Sequence, residues 1–393
     1  MVGFFFGESF LYLLLATVLA FFTTHGIIPA VIRVAREKHL LEEPNSRSSH
    51  VQKTPCLGGI AIFASLAIVF LLVAHLYPAT AGKSHLILPS LIILFFIGLK
   101  DDILVIDPHK KLIAQLIAAG LLIACADVRI GSLFGLFGVY ELPYLVSFAL
   151  TVFIFVVVVN SYNLIDGIDG LAGSLGVMAA LAFGVYFYTI GMAWATVLCA
   201  TLVGSLLSFL CFNFSKRNKV FMGDSGSLIV GFVLAILAIT FIQVNETANP
   251  YPIKNAPTVA VALLAIPLFD ALRVFSQRII AGRGPFQADR NHVHHFMIDN
   301  GLSHGHATLL LSGLSGLIVI TAFLWAPEAS VGTSFAQLTG AFLVYSFALR
   351  RNKATQLSTW FVKKRTTQVQ PQRSPSHAAT PQPVKVELPV EVN

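Results

Sequence analysis

Eleven apolar runs, near residues 4–28, 57–77, 86–100, 112–126, 144–160, 171–190, 193–213, 226–243, 257–276, 306–326 and 333–349, succeed one another with short polar breaks. Most approach the roughly 20 residues that a helix needs to cross the hydrocarbon of a bilayer. Inside lipid every backbone N–H and C=O must be paired within the protein, so a spanning segment is a helix or part of a closed barrel. Runs that are apolar at every position, without alternation, select the helix. The expected fold is therefore an all-α polytopic membrane protein of about 11 transmembrane helices. Composition agrees: 56% of residues are hydrophobic, 11% are charged and mean hydropathy is +0.78, which excludes a soluble globular fold.

Charge gives the orientation. The first run lacks a basic leader and is followed by Arg33, Arg36 and Lys38, so it reads as a retained span whose C-terminal end faces the cytoplasm. Alternation from there places all of the 26 lysines and arginines on the cytoplasmic side except Lys83, Arg129 and Lys254. Such a bias supports the span count and the orientation together, and the chain is expected to be a multi-pass protein of the bacterial inner (cytoplasmic) membrane.

Residues 1–350 form the membrane domain. From 351 to 393 the chain turns to Gln, Ser, Thr and Pro with scattered charge, too polar to bury a core, and is expected to be a disordered cytoplasmic tail. The outer segment 127–143 alternates β-formers with glycines and is expected to form a short hairpin. Cys56, Cys125, Cys199 and Cys211 show no paired or metal-type spacing and read as small packing residues.

Polar residues cluster in the cytoplasmic loops or at span ends facing them. A transporter would instead carry ionisable groups near mid-span. Asp101 and Asp102 end the third run; adjacent carboxylates repel and favour a shared cation or proton, which fits Mg²⁺ binding or base catalysis. Lys110 and Lys111 open the next run, where an ammonium can meet phosphate or snorkel to the interface. In NSYNLIDGIDG (160–170), a continuing helix would align Asn163, Asp166 and Asp169 on one face. In FMGDSGS (221–227), Asp224 among glycines and serines suits a metal carboxylate, or a plain helix cap, and the spacing is not that of a P-loop.

The last loop, GRGPFQADRNHVHH (282–295), offers Arg290, His292, His294 and His295 as a basic, hydrogen-bonding surface suited to a diphosphate. Histidine triplets also bind zinc, although no cysteine cluster lies nearby.

These pieces, with PNSRSSHVQKTPCLGG (44–59), resemble in kind and in order the polyprenyl-phosphate N-acetylhexosamine-1-phosphate transferase family, over roughly residues 30–305. The resemblance implies transfer of a sugar phosphate from a UDP-N-acetylhexosamine to undecaprenyl phosphate at the cytoplasmic face. UMP is released and a lipid-linked surface glycan begins. By position, Asp224 and Asn163 would hold Mg²⁺, with Mn²⁺ as a substitute, and Lys111 would contact phosphate. Asp101 and Asp102 would engage or orient the lipid phosphate. Asp166 and Asp169 would line the nucleotide and metal site, while Arg290, His292, His294 and His295 would bind the diphosphate and sugar. The last loop favours the UDP-N-acetylglucosamine branch over the phospho-N-acetylmuramoyl-pentapeptide branch. A transporter of an anionic solute and a non-catalytic polyprenyl-phosphate binder are the rival readings. The lipid bilayer is the expected environment, no nucleic acid is expected as a partner, and a homodimer is left open.

Overall fold

The computed structural model describes residues 2–42, 53–80, 84–246, 250–253, 255–282, 284, 291–325 and 332–346. The tail 351–393, Arg290 and the whole of the loop 44–52 lie outside them. In chain order the elements are α1 (Val2–Glu37), β1 (Leu41–Glu42), β2 (Thr54–Pro55) and α2 (Gly58–Ser65), which runs through a π-turn at Leu66–Phe70 into α3 (Leu71–Leu76). Next come α4 (Ser84–Leu104), α5 (Pro108–Ala126), β3 (Ser132–Leu136), β4 (Val139–Glu141), α6 (Tyr144–Ile165), α7 (Leu171–Thr189) and α8 (Ala193–Asn213). They are followed by α9 (Gly223–Glu246), α10 (Ala256–Leu263), α11 (Ala265–Ile280), α12 (Val293–Asp299) and α13 (His304–Trp325). Residues 332–346 are also helical.

Among the described residues, eight helices are long and apolar enough to cross a membrane, or nine if the bent pair α10 and α11 is one span. That is fewer than the eleven expected. Helix α4 and the helix at 332–346 stand at two further apolar runs but are not among the eight. The ninth run is not straight: α10 and α11 meet at 80° across Leu264. Pro267 lies in the first turn of α11 and has no N–H to continue the ladder across that point.

Helix α9 lies at the centre. Its residues are buried from Ser225 to Ile242, so it is apolar on every side and has no lipid-facing stripe. It packs against α4, α6 and α2. Between membrane helices there is little hydrophobic drive, because lipid is as apolar as the protein, and close approach depends on small residues. Gly98 of α4 shows this: a Cβ there would stand 2.6 Å from the Ser225 Cα and 2.7 Å from its nitrogen. Gly59 of α2 abuts the Gly226 backbone in the same way. The first turn of α2 is stitched to the chain entering α9, with Gly58 N–H donating to Phe221 O at 2.9 Å and Gly59 N–H to Met222 O at 2.8 Å. Together these fix where α9 begins.

At the other end of α9, Glu246 accepts the N–H groups of Gly131 and Ser132 at 3.0 and 3.1 Å, anchoring the expected hairpin, in which β3 and β4 pair antiparallel.

Candidate active site

The starts of α2 and α5 and the ends of α4 and α6 meet where α9 begins. Asp107 caps α5, accepting the His109 N–H at 2.8 Å with Pro108 in the first turn, so α5 starts three residues after α4 stops. This tight corner turns Asp101 and Lys111 toward each other. The Lys111 ammonium bridges the Asp101 and Asp224 carboxylates. The other Asp101 oxygen accepts the Ile106 N–H at 2.6 Å, closing the corner.

The second Asp224 oxygen accepts from the Asn163 amide at 2.7 Å, and the same amide nitrogen donates to Ser227 Oγ at 2.8 Å. Asp102 faces away from Lys111 toward the helix start. Its Oδ1 accepts the Asp224 N–H at 2.6 Å, and its Oδ2 accepts the Ser225 N–H at 3.0 Å and hydroxyl at 2.6 Å. The structure thus brings Asp101, Asp102, Lys111, Asn163 and Asp224 into one cluster from residues 123 positions apart. Among the described residues no three His, Cys, Asp or Glu side chains form a self-sufficient metal site.

Asp166 and Asp169 do not continue the Asn163 face. Helix α6 ends at Ile165, Asp166 caps it, and Gly170 takes φ +77° to turn the chain into α7. Asp166 itself leaves the helical region, at φ −76° and ψ +50°, so the three-residue spacing carries no common face. Asp169 instead pairs with Lys219 at 2.6 Å and with His304 at 3.0 Å, and its backbone carbonyl accepts from Thr308 at 2.7 Å. Burial pushes its carboxyl up, but the His304 and Lys219 hydrogen bonds outweigh that and hold it below the ordinary range.

The histidines are not the open basic surface that the sequence suggests. His292 and His294 are 5% and 1% exposed, with rings stacked 5.7 Å apart at 8°, while the His295 ring lies 4.3 Å from that of His294. His292 precedes α12 in an extended conformation and its Nδ1 stands 2.8 Å from Asp270 Oδ2. His294 rests on Gly167, where any Cβ would occupy the space of its ring. This contact joins the last loop to the turn after α6. Burial first, then the neighbouring His295, push the His294 imidazole down to about 3, so it is neutral near pH 7.

Sequence reasoning assigned no role to Asp270, Arg273, Lys219, His304 or Ser225. Asp270 carried a signal, since an acid in a membrane run is costly unless it has work and partners. The others are recognisable only as partners in space.

Residues 84–242 match the model of Glycosyl transferase family 4, a segment that starts with α4 and holds every side chain of the Lys111 cluster. Over 335 residues the chain is 31% identical to a decaprenyl-phosphate N-acetylglucosaminephosphotransferase of Mycolicibacterium smegmatis, covering 79% of this chain and 80% of the relative. It is 29% identical over 336 residues to an undecaprenyl-phosphate alpha-N-acetylglucosaminyl 1-phosphate transferase of Yersinia pestis, covering 81% and 86%. A protein of the same description from Escherichia coli K12 is 27% identical over 336 residues, with 81% and 86% covered. The chain is thus a membrane-bound sugar-phosphate transferase that belongs to the polyprenyl-phosphate N-acetylhexosamine-1-phosphate transferase family.

Proposed function

We propose that the protein transfers N-acetylglucosamine-1-phosphate from UDP-N-acetylglucosamine to undecaprenyl phosphate, with Mg²⁺, at the cytoplasmic face of a bacterial inner membrane crossed eleven times. An oxygen of the lipid phosphate forms the new bond to the β-phosphorus of the donor. The bond from that phosphorus to the bridging oxygen breaks, and UMP leaves with the electron pair. The product starts a lipid-linked surface glycan.

The observation that carries this reading is the Lys111 ammonium held between Asp101 and Asp224 while Asn163 holds the remaining Asp224 oxygen. The donor set fits a hard cation: Asp101 and Asp224 outweigh the one ammonium between them, and their carboxylates are oxygen donors. Mg²⁺ commonly takes one or two carboxylates and completes its shell with water and substrate phosphate, so three protein acids are not required. Asp224 and Asn163 would hold it, and there it would neutralise charge on the donor diphosphate.

The other roles follow from geometry. Lys111, released from one carboxylate, can reach a phosphate while Asp101 keeps it oriented. Asp102 acts by holding the Asp224 backbone. The lipid phosphate is already ionised near neutral pH and needs placement more than a strong base. Asp166 and Asp169, at the turn against which His294 packs, would line the nucleotide and metal site, and Arg290, His292, His294 and His295 would bind the diphosphate and sugar.

Purified protein given undecaprenyl phosphate, Mg²⁺ and a panel of UDP-sugars tests the reading. UMP release is expected with UDP-N-acetylglucosamine and not without divalent cation. Release only with the muramoyl-pentapeptide donor, or undiminished in chelator, overturns it.

A further inference from the structure

Asp270 is 1% exposed, in the helix that follows the sharp break at Leu264. A lone carboxylate there would be costly, and it is met by four donors. His292 Nδ1 lies 2.8 Å away, Arg273 Nη2 2.7 Å, the Val293 N–H 3.0 Å and the Tyr345 hydroxyl 3.3 Å. Arg273 also donates from Nη2 to Asn291 O at 2.5 Å. One acid and its neighbouring arginine thus grip three consecutive residues: Asn291 by its carbonyl, His292 by its ring and Val293 by its amide.

The consequence is a fixed tautomer. A carboxylate accepts, so His292 Nδ1 must carry the hydrogen, and Nε2 is the nitrogen left for any other partner. The ring is also fixed in direction, because the backbone on both sides of it is tied to the same acid–arginine pair. His294, stacked parallel on His292, inherits that placement.

We infer that Asp270 is a positioning residue for the donor site: it sets the tautomer and direction of His292 and, through it, the register of the last loop against the turn after α6. The inference rests on the reading that this loop receives the UDP-sugar. Asp270 touches no substrate in this account and acts through His292.

The test compares Asp270→Asn, His292→Ala and the double variant, measuring KM and kcat with UDP-N-acetylglucosamine and undecaprenyl phosphate varied in turn. Removing a partner that orients a functional histidine is expected to cost about 10–100-fold. We expect each single variant to lose that much in kcat/KM for the UDP-sugar, with KM for the lipid within about twofold of the wild type. Because Asp270 works through His292, the double variant should be no worse than His292→Ala alone. A merely structural role would lower the active fraction and leave both KM values where they were. If His292→Ala leaves donor kinetics unchanged, the donor reading of the loop falls and this inference with it. If His292→Ala impairs donor use and Asp270→Asn does not, or the losses multiply, the inference alone is overturned. Should Asp270→Asn not be recovered in the membrane, Asp270→Glu replaces it, keeping the charge and displacing it by one methylene. A selective rise in donor KM supports the inference, and an unchanged donor KM overturns it.

Discussion

The Asp102 carboxylate caps the helix that carries Asp224, with Oδ1 2.6 Å from the Asp224 nitrogen and Oδ2 on both donors of Ser225. Asp102 is therefore a cap supplied by a neighbouring helix. Replacing it with alanine leaves these donors without their acceptor, at a cost of about 1–3 kcal/mol for buried groups. It also frees the first turn that aims Asp224. Asp102→Ala is expected to lower the unfolding midpoint in detergent and to raise the Mg²⁺ concentration at half-maximal UMP release. An unchanged midpoint with lost turnover would instead make Asp102 a direct participant.

Lys111 and Asp224 are predicted to differ in kind. Asp224→Asn keeps the shape and the Asn163 contact on one oxygen but loses the charge, and turnover should vanish while the protein still inserts and purifies. Lys111→Met leaves Asp101 and Asp224 facing each other without an ammonium. The expected loss in kcat is on the order of 10²–10³-fold, as for removal of one charge-stabilising donor. Lys111→Arg should not restore it, because a planar guanidinium cannot fit where a compact ammonium sits between two acids. Near-normal UMP release from Asp224→Asn at saturating Mg²⁺ would remove the metal from the account.

The sequence made the helices legible because lipid forbids anything else across a long apolar run, and it located the Asp101, Lys111, Asn163 and Asp224 cluster because polar residues are so few. What it could not reveal was which partner each acid takes. Asp101 and Asp102 are neighbours in the chain, yet one faces Lys111 and the other the start of α9. That division depends on Gly59 and Gly98 letting α9 approach, an arrangement set by packing across three helices. The end of α6 at Ile165 was hidden for a different reason: the 160–170 motif has helical spacing, and only the backbone at Asp166 and Gly170 shows the turn. Pro267 was a legible warning of the bent ninth run, and a reading by apolar length alone passes over it.

Orientation rests on the distribution of lysine and arginine, and it has a direct check. Tyr251 is 63% exposed and lies between α9 and α10. Lys216 is exposed in the turn between α8 and α9, beside the Lys219 partner of Asp169. A cysteine at Tyr251 should react with an impermeant maleimide added to intact spheroplasts, and one at Lys216 should react only after lysis. The reverse pattern would move the Lys111 cluster to the outer face and end the proposal that a cytoplasmic nucleotide sugar is the donor.

The pH dependence of stability has its own source in His294. Burial and then His295 push its imidazole down to about 3, with His292 and His304 adding to the shift and Asp270 opposing it. An unfolded histidine takes up its proton near pH 6.5, so as pH falls from there toward 3 the unfolded state binds a proton that the folded state refuses. Stability from this group is complete above about 6.5 and declines below it, at up to about 1.4 kcal/mol per pH unit. Asp169 works in a separate window: its lowered carboxyl contributes stability that is lost only below about pH 4. Between pH 6.5 and 5 the wild type should therefore lose this stability progressively relative to His294→Asn, which cannot titrate there. Denaturation of both proteins at pH 7, 6 and 5 decides it, and equal slopes would mean that the His294 imidazole already carries its proton when folded, with a place against Gly167 different from the one described.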